Sequence, residues 1–159
     1  MLVLCKTIND FKKAIAKPGP LLGIDHGLAR LGVSVSDSER VFALPHSVII
    51  AAQINALVDV ILHKGIVGVV VGYPLELSGE VGSGCEAVDE FLKKVNNYAK
   101  KTEVDLQIPC YLQDERFTTK LSNTMLKQAK LKRKKRAVED NAVAASNILQ
   151  TALDVMKNL

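Results

Sequence analysis

Carboxylate side chains stand at places in this sequence where an apolar segment ends or begins. Asp25 closes the apolar run 21–24, Asp114 and Glu115 follow another apolar run, and Asp140 precedes the last one. Carboxylate oxygens are the ligands that Mg²⁺ and Mn²⁺ prefer, and two such ions about 4 Å apart can hydrolyse a phosphodiester. If the fold gathers these residues, they predict a two-metal site. Taken singly, Asp25 also suits a turn and Asp140 a helix cap.

The adjacent pair Asp114 and Glu115 cannot act equivalently in a regular strand. Consecutive strand residues point to opposite faces, so both cannot reach one cation. One is expected to bind and the other to support it, and the sequence leaves open which. Arg116 follows directly and can hold the second carboxylate, contact a phosphate with its planar donor fork, or form an exposed ion pair.

The elements that must position these residues follow from hydrophobic periodicity. Apolar and alternating segments predict strands at 21–25, 31–36, 41–50, 66–72 and 108–113. Helical spacing predicts helices at 51–64, 86–101, 118–130 and 140–156. This order predicts an α/β fold of the ribonuclease H type, a mixed five-stranded sheet in which a three-strand antiparallel meander precedes parallel strands, flanked by helices.

The length and cysteine content narrow the class of protein. A chain of 159 residues fits one domain, predicted at 21–159 after an N-terminal extension, 1–20, which ends at Pro18-Gly19-Pro20. No apolar run approaches the ~20 residues that span a bilayer, so no membrane partner is expected. The three cysteines form no C-x-x-C pair, which disfavours a disulfide framework. A cytoplasmic protein is therefore predicted.

Positive charge is concentrated in one segment. Seven of the 21 basic residues lie within 127–136, and without these seven charges the formal net charge of +4 becomes −3. Such a segment is typical of contacts with polyanions, although a solvated loop is the alternative. The residues predicted to bind a nucleic-acid backbone here are Lys132, Arg133, Lys134, Lys135 and Arg136.

Four sequence blocks resemble the YqgF/RuvX family of Holliday-junction-resolvase-like proteins. They are LLGIDHGLARLGVSVSD (21–37), GVVVGYPLELSGEVG (68–82), YLQDERFTT (111–119) and KRKKRAVEDNAVAASNILQTALD (132–154). The resemblance implies a ribonuclease H-like fold and divalent-metal phosphodiester hydrolysis. It also implies roles for Asp25, for the block Asp114-Glu115-Arg116 and for an acid at the start of the last helix. Bacterial members are regarded as nucleases that mature the precursor of small-subunit ribosomal RNA.

The chain departs from the family pattern at several positions. Asn141 stands where the family has its C-terminal Asp, and Asp140 lies one residue earlier, about 100° away around a helix. Asn141 can offer an oxygen to a metal but no negative charge. Glu76 supplies an extra carboxylate just past the fourth predicted strand, and we expect it to offset Asn141 in part. Leu28 and Ala29 replace the usual Thr and Lys, whereas Arg30 remains.

The sequence thus predicts a metal-dependent endonuclease that uses Mg²⁺ or Mn²⁺. Its expected role is maturation of the 5′ end of pre-16S rRNA or resolution of Holliday junctions, with Arg30, Arg116 and the basic segment on the nucleic-acid backbone. The alternative is a catalytically impaired module that binds nucleic acid or the ribosome, an interpretation that Asn141 supports. The sequence leaves open whether the substrate is structured RNA or branched DNA and whether pre-ribosomal particles are partners. It also leaves open whether the protein is a monomer or a homodimer.

Overall fold

The computed structural model describes residues 1–116 and 133–159, and of 133–139 it describes the backbone alone. The predicted helix 118–130 and Lys132 lie outside the described residues. The strands are β1 (Leu2–Cys5), β2 (Leu21–His26), β3 (Arg30–Ser36), β4 (Ala43–Ile50), β5 (Gly68–Tyr73) and β6 (Ile108–Asp114). The helices are α1 (Ile8–Ala14), α2 (Ile54–Lys64), α3 (Ser83–Lys101) and α4 (Arg133–Lys157).

One mixed sheet of six strands carries the fold, in the order β1-β6-β5-β2-β3-β4. The expected antiparallel meander is β2-β3-β4, and β5 pairs in parallel with both β2 and β6. The α/β class and the meander are confirmed, but the sheet has six strands within residues 1–116 and 133–159 rather than the five predicted. The additional strand, β1, is only four residues long and pairs with β6, which lies about a hundred residues later, so local periodicity could not reveal it.

Residues 1–20, expected as an extension, contribute to both the sheet and the core. Leu2–Cys5 pairs in parallel with β6 along its whole length. In α1, capped by the Thr7 side chain, Phe11 is fully buried, and Ile15 just after it is 3% exposed. The turn Pro18-Gly19-Pro20 therefore ends a short unit that packs on the same sheet.

Two hydrophobic clusters cover the two faces of the sheet. Helices α2 and α3 bury one face, which includes Ile24 of β2 and Val71 of β5. Helices α1 and α4 bury the other, which includes Leu21 and Val70. Because strand side chains alternate, each residue at the carboxyl ends of β2, β5 and β6 faces either the α2/α3 side or the α4 side. This alternation decides which polar residues meet.

Helix α4 is longer than predicted. The sequence indicated a start near Asp140, but the helix begins at Arg133, so Asp140 lies two turns inside it. The basic segment was predicted to contact polyanions, with a solvated loop as the alternative. Lys, Arg and Ala are good helix formers, and residues 133–136 of the segment lie in the helix. A buried hydrogen bond of 2.8 Å from the Ser34 hydroxyl to the Ala145 carbonyl joins α4 to β3. No helix within the described residues is long and apolar enough to cross a membrane.

Candidate active site

Asp25 lies near the carboxyl end of β2 on the face covered by α4. The preceding residue on that face, Gly23, abuts Ala145 and Leu149 of α4. Burial raises the pKa of Asp25 from 3.8 to about 6, because the charged carboxylate loses part of its surrounding water. A half-desolvated acid at a strand end is a costly arrangement for stability alone, and such groups concentrate at functional sites.

Glu115 reaches the same face from the end of β6. Its pKa rises from 4.5 to about 7, first through burial and then through repulsion by Asp25 and Asp114. The contribution of Asp25 to this shift places its carboxylate within electrostatic range of Glu115. Their strands are separated by β5, so their backbones are about 10 Å apart and the longer Glu side chain spans the gap.

Gly72 of β5 provides the space that Glu115 occupies. A Cβ atom at Gly72 would lie 2.8 Å from Oε2 of Glu115 and 2.6 Å from Cδ1 of Ile148 on α4. Any side chain here would therefore displace the Glu115 carboxylate or the Ile148 side chain. A glycine inside a strand commonly marks such a close approach.

Asp114 belongs to the opposite face and pairs with Arg116. The Arg116 guanidinium donates to Oδ2 of Asp114 from Nη2 at 2.6 Å and from Nε at 2.9 Å, and its backbone N–H donates to Oδ1 at 3.0 Å. These bonds hold the pKa of Asp114 below its usual value. Of the two adjacent acids, Glu115 thus joins Asp25, and Asp114 anchors an arginine.

Arg116 also contacts the loop that follows β5. Its Nη1 lies 3.5 Å from the Leu77 carbonyl oxygen, at the limit of a hydrogen bond, and a Cβ at Gly79 would lie 3.4 Å from the same nitrogen. Gly79 has a φ of +88°, a left-handed conformation that favours glycine. Asp114 and Arg116 together therefore link the end of β6 to this loop.

Helix α4 brings Asp140 and Asn141 to the same edge. The Asn141 carbonyl oxygen abuts Cα of Gly32, which is paired with Asp25 across β2 and β3. No Cβ fits at Gly32, so this glycine permits α4 to lie directly on the strand beside Asp25. Within the described part of the chain, the buried Oδ1 of Asp140 has no hydrogen-bond partner. Buried acceptors are rarely left unpaired in proteins, which makes this oxygen a candidate ligand.

The three carboxylates suit a hard cation by their chemistry. Asp25 repels Glu115, and the buried Oδ1 of Asp140 has no partner among residues 1–116 and 140–159. A divalent cation would relieve both costs. Among residues 1–116 and 133–159, however, no three acidic, His or Cys side chains stand close enough to form a preassembled metal site. A cation would have to draw these side chains together.

The other predicted site residues are dispersed. Glu76 is exposed, and its carboxylate lies against Gly82 at the start of α3. Arg30 is exposed at the start of β3. Arg133, Lys134, Lys135 and Arg136 are in the first turns of α4, and their side chains lie outside the described residues.

Gly32 and Gly72 are the functional positions that sequence reasoning missed. Neither carries a chemical group, but each removes a side chain where the site needs room. The available signal was a glycine inside each of two predicted strands, Gly32 in an alternating run and Gly72 at the end of a β-branched run.

Comparison with known proteins defines first the fold and then the family. Two structures titled "T. thermophilus RuvC in complex with Holliday junction substrate" and "Thermus thermophilus RuvC structure" superpose with TM-scores of 0.53 and 0.51 at 19% and 17% identity. Each comparison covers 87% of this chain and 96% of the other, and both establish a ribonuclease H-like fold.

The family follows from sequence comparison. The profile described as "RuvX: Holliday junction resolvase" matches residues 19–155. Proteins named "Putative pre-16S rRNA nuclease" from Rickettsia akari and Rickettsia felis are 37% and 38% identical over 161 residues, covering 99% of this chain and all of theirs. The chain belongs to the RuvX family and is a nuclease, a hydrolase that acts on phosphodiester bonds.

Proposed function

We propose that this chain is a divalent-cation-dependent endonuclease in which Asp25, Glu115 and Asp140 hold the cation. The observation that carries the proposal is the half-buried pair Asp25 and Glu115, in which Asp25 helps to raise the pKa of Glu115. The buried Oδ1 of Asp140, which has no hydrogen-bond partner among the described residues, adds to it. A folded protein gains nothing from such a pair without a positive partner, because unpaired buried charges destabilise it. Asn141 and Glu76 remain candidate additional ligands.

Each residue has a definite part in this proposal. Asp25 and Glu115 are anchored on two strands of one sheet, which fixes the direction from which they approach the cation. With no cation present, a proton on Glu115 relieves their repulsion near neutral pH. When bound, Mg²⁺ or Mn²⁺ supplies positive charge that stabilises the negative charge developing on the phosphate. Asp114 holds Arg116 at the rim, where it can position the loop after β5.

Ribosomal RNA precursor is the substrate that we favour, with a four-way DNA junction as the alternative. Curated relatives that match over their full length carry the name pre-16S rRNA nuclease, whereas the junction-bound structure shares only 19% identity. A role in 5′-end maturation would place the protein in the cytoplasm and in contact with pre-ribosomal particles. All three carboxylates come from one chain, so a monomer suffices for the site; a homodimer would suit a symmetric junction.

The nucleic-acid backbone would be held by Arg30, Arg116 and the basic residues 132–136. Contacts from Lys and Arg to phosphates are largely independent of sequence and weaken steeply with salt. We therefore expect the logarithm of the affinity to fall linearly with the logarithm of the salt concentration. Replacing Lys134 and Lys135 with Gln should reduce that slope by roughly one unit for each phosphate that is no longer neutralised.

The test is cleavage of a labelled, 5′-extended 16S rRNA precursor and of a labelled four-way DNA junction, each with Mg²⁺, Mn²⁺ or EDTA. Wild type is compared with Asp25→Asn and with a control, Asp59→Asn, on the exposed face of α2. We expect cation-dependent cutting by wild type and the control and none by Asp25→Asn. Cutting that persists in Asp25→Asn would remove Asp25 from the mechanism.

A catalytically impaired binding module is the second candidate function, and Asn141 is the observation that favours it. It predicts binding of RNA or DNA by wild type and Asp25→Asn alike, with no cation-dependent product from either. In that case Asn141→Asp should restore cleavage if the missing charge is the cause. Cleavage by wild type at a rate unaffected by Asn141→Asp would exclude the impaired module.

A further inference from the structure

A cavity of about 430 Å³ opens on the α2/α3 side of the sheet, the face opposite to the carboxylates. Its lining comes from the end of β2 and the turn after it, from the residues before and at the start of α2, and from α3. It includes His26, Leu28, Ala51, Ala52, Ala87 and Phe91. His26 follows Asp25 directly, and because strand side chains alternate, the two point to opposite faces of the same strand end. The cavity and the carboxylates therefore share one edge of the sheet.

The inner wall of the cavity is aromatic. The His26 and Phe91 rings lie with centroids 4.9 Å apart at an interplanar angle of 37°, and Phe91 is 4% exposed in the hydrophobic core. Phe91 thus holds the His26 ring in place from below. A fixed aromatic surface within a small apolar cavity is the arrangement on which unstacked nucleobases are bound by proteins.

Leu28 stands at the mouth of the cavity with 90% of its surface exposed. It lies in the turn between β2 and β3, which a hydrogen bond of 2.9 Å from the Gly27 N–H to the Arg30 carbonyl closes tightly. An isolated exposed Leu needs no explanation, but this one borders both an apolar cavity and the catalytic edge. Apolar side chains in such positions insert between stacked bases and separate them.

Charged groups complete the rim. Glu90 and Lys94, one turn apart on α3, both line the cavity and are exposed. The Glu90 carboxylate can accept hydrogen bonds from the amino or imino groups of a base, and the Lys94 ammonium can donate to a carbonyl or a phosphate. The cavity thus combines an aromatic wall, an apolar rim residue and polar groups of both signs.

We propose that this cavity receives one unstacked nucleobase of the substrate strand, adjacent to the phosphate held at the carboxylates, with Leu28 separating that base from its neighbour. The proposal rests on the nuclease function above and adds a determinant of cleavage position. The base can belong to RNA or to DNA, since the shared chemistry is its flat π surface and its polar edge. Cleavage is therefore favoured where a base is unpaired or easily unstacked.

The experiment removes single bases from the substrate. A series of RNA precursor oligonucleotides, and a parallel series of DNA junctions, carries one abasic nucleotide at each position around the cut. For the substrate class that is cut, we expect one flanking position at which base removal slows cleavage by roughly 5- to 150-fold, the contribution of one stacked base. A uniform response at all positions would overturn the proposal and leave the nuclease function intact.

A matched pair of variants ties that position to the cavity. Ala52→Leu combined with Ala87→Leu fills the cavity, whereas Asn55→Leu adds the same side chain on the exposed surface of α2 outside it. In the filled variant the ratio of rates for intact and abasic substrates should fall to about 1, and Asn55→Leu should keep the wild-type ratio. If the filled variant has the melting temperature of wild type and also keeps the wild-type ratio of rates for intact and abasic substrates, the cavity does not bind the base.

Equilibrium binding keeps the inference independent of turnover. The same oligonucleotides are titrated against Asp25→Asn, in which binding is measured without cleavage. We expect base removal at one position to lower the affinity, and we expect filling the cavity to abolish this difference. That result would support base binding in the cavity even if wild type cuts neither substrate. Equal affinities for all abasic substrates would exclude it.

Discussion

Asp114 and Glu115 are neighbours in sequence but act on opposite faces of the sheet. Asp114 binds the Arg116 guanidinium, with Oδ2 2.6 Å from Nη2, on the α3 side, whereas Glu115 extends across Gly72 toward α4 and is repelled by Asp25. One strand end thereby supplies both a candidate metal ligand and an anchor for an arginine. Strand alternation, which made the two acids ambiguous in the sequence, separates their roles in the structure.

The first prediction compares these two acids. Glu115→Gln should reduce single-turnover cleavage by about 100-fold or more, because it removes a charge that faces the phosphate-bearing edge. Asp114→Asn should reduce it by about 10-fold, since the amide oxygen still accepts from Arg116 and its effect is indirect. Cleavage rates at saturating Mn²⁺ measure both. Equal losses, or a larger loss in Asp114→Asn, would contradict the assignment.

The second prediction concerns stability without divalent cation. The pKa of Asp25 is about 6 in the folded protein and 3.8 ordinarily, so the folded state binds the proton more tightly. Stability is therefore highest below pH 4 as far as this group is concerned, and it falls as the pH rises from 4 through 6. Above that window, Asp25→Asn should raise the free energy of unfolding by about 1–3 kcal/mol, discounted for partial exposure.

Urea denaturation at pH 5 and pH 8 in EDTA measures this effect. The free energy of unfolding of Asp25→Asn should exceed that of wild type by more at pH 8 than at pH 5. The exposed control Asp59→Asn should show no such difference between the two pH values. A variant that loses both activity and stability would mean that Asp25 is structural. Gain of stability with loss of cleavage is the expected signature of a functional acid.

The third prediction concerns Asp140. Because its buried Oδ1 has no partner in the described part of the chain, Asp140→Asn should cost little stability in EDTA but weaken Mn²⁺ binding by about 10-fold or more. The shift of melting temperature on Mn²⁺ titration measures this affinity. Asp154→Asn, near the other end of α4, serves as the control and should bind Mn²⁺ like wild type. Unchanged Mn²⁺ affinity in Asp140→Asn would remove this residue from the site.

The fourth prediction tests Glu76. If its carboxylate offsets the missing charge at Asn141, Glu76→Gln should lower both Mn²⁺ affinity and cleavage, and Asn141→Asp should restore them in the double variant. Such rescue is expected because a charge removed at one ligand is replaced at another around the same ion. Glu80→Gln in the same loop is the matched control. If Mn²⁺ affinity and cleavage are unchanged by Glu76→Gln, the side chain remains where it lies, against Gly82.

The sequence predicted the parts of this fold that are encoded locally. The run 66–72 is β-branched and continuous, and it forms the central strand β5; Asp25 follows an apolar run and lies at a strand end. Strand β1 and the close contact of Asn141 with Gly32 depend on partners about a hundred residues away. Local hydrophobic periodicity therefore cannot predict them. The sequence predicted a start of α4 near Asp140, but Lys and Arg are good helix formers, and the helix already includes residues 133–139.

The last prediction tests whether α4 must lie directly on β3. Gly32→Ala places a Cβ against the Asn141 carbonyl, a backbone atom that cannot turn away, so α4 must shift from the strand that carries Asp25's partner. We expect the free energy of unfolding to fall by at least about 2 kcal/mol. We also expect the cleavage rate to fall by more than the increase in unfolded protein accounts for. Gly65→Ala is the control, because Gly65 has a left-handed φ of +64° but open space around it. This variant should lower the free energy of unfolding by about 1 kcal/mol and leave the cleavage rate per folded molecule normal. Normal cleavage by folded Gly32→Ala would show that the position of α4, and with it Asp140, does not limit the reaction.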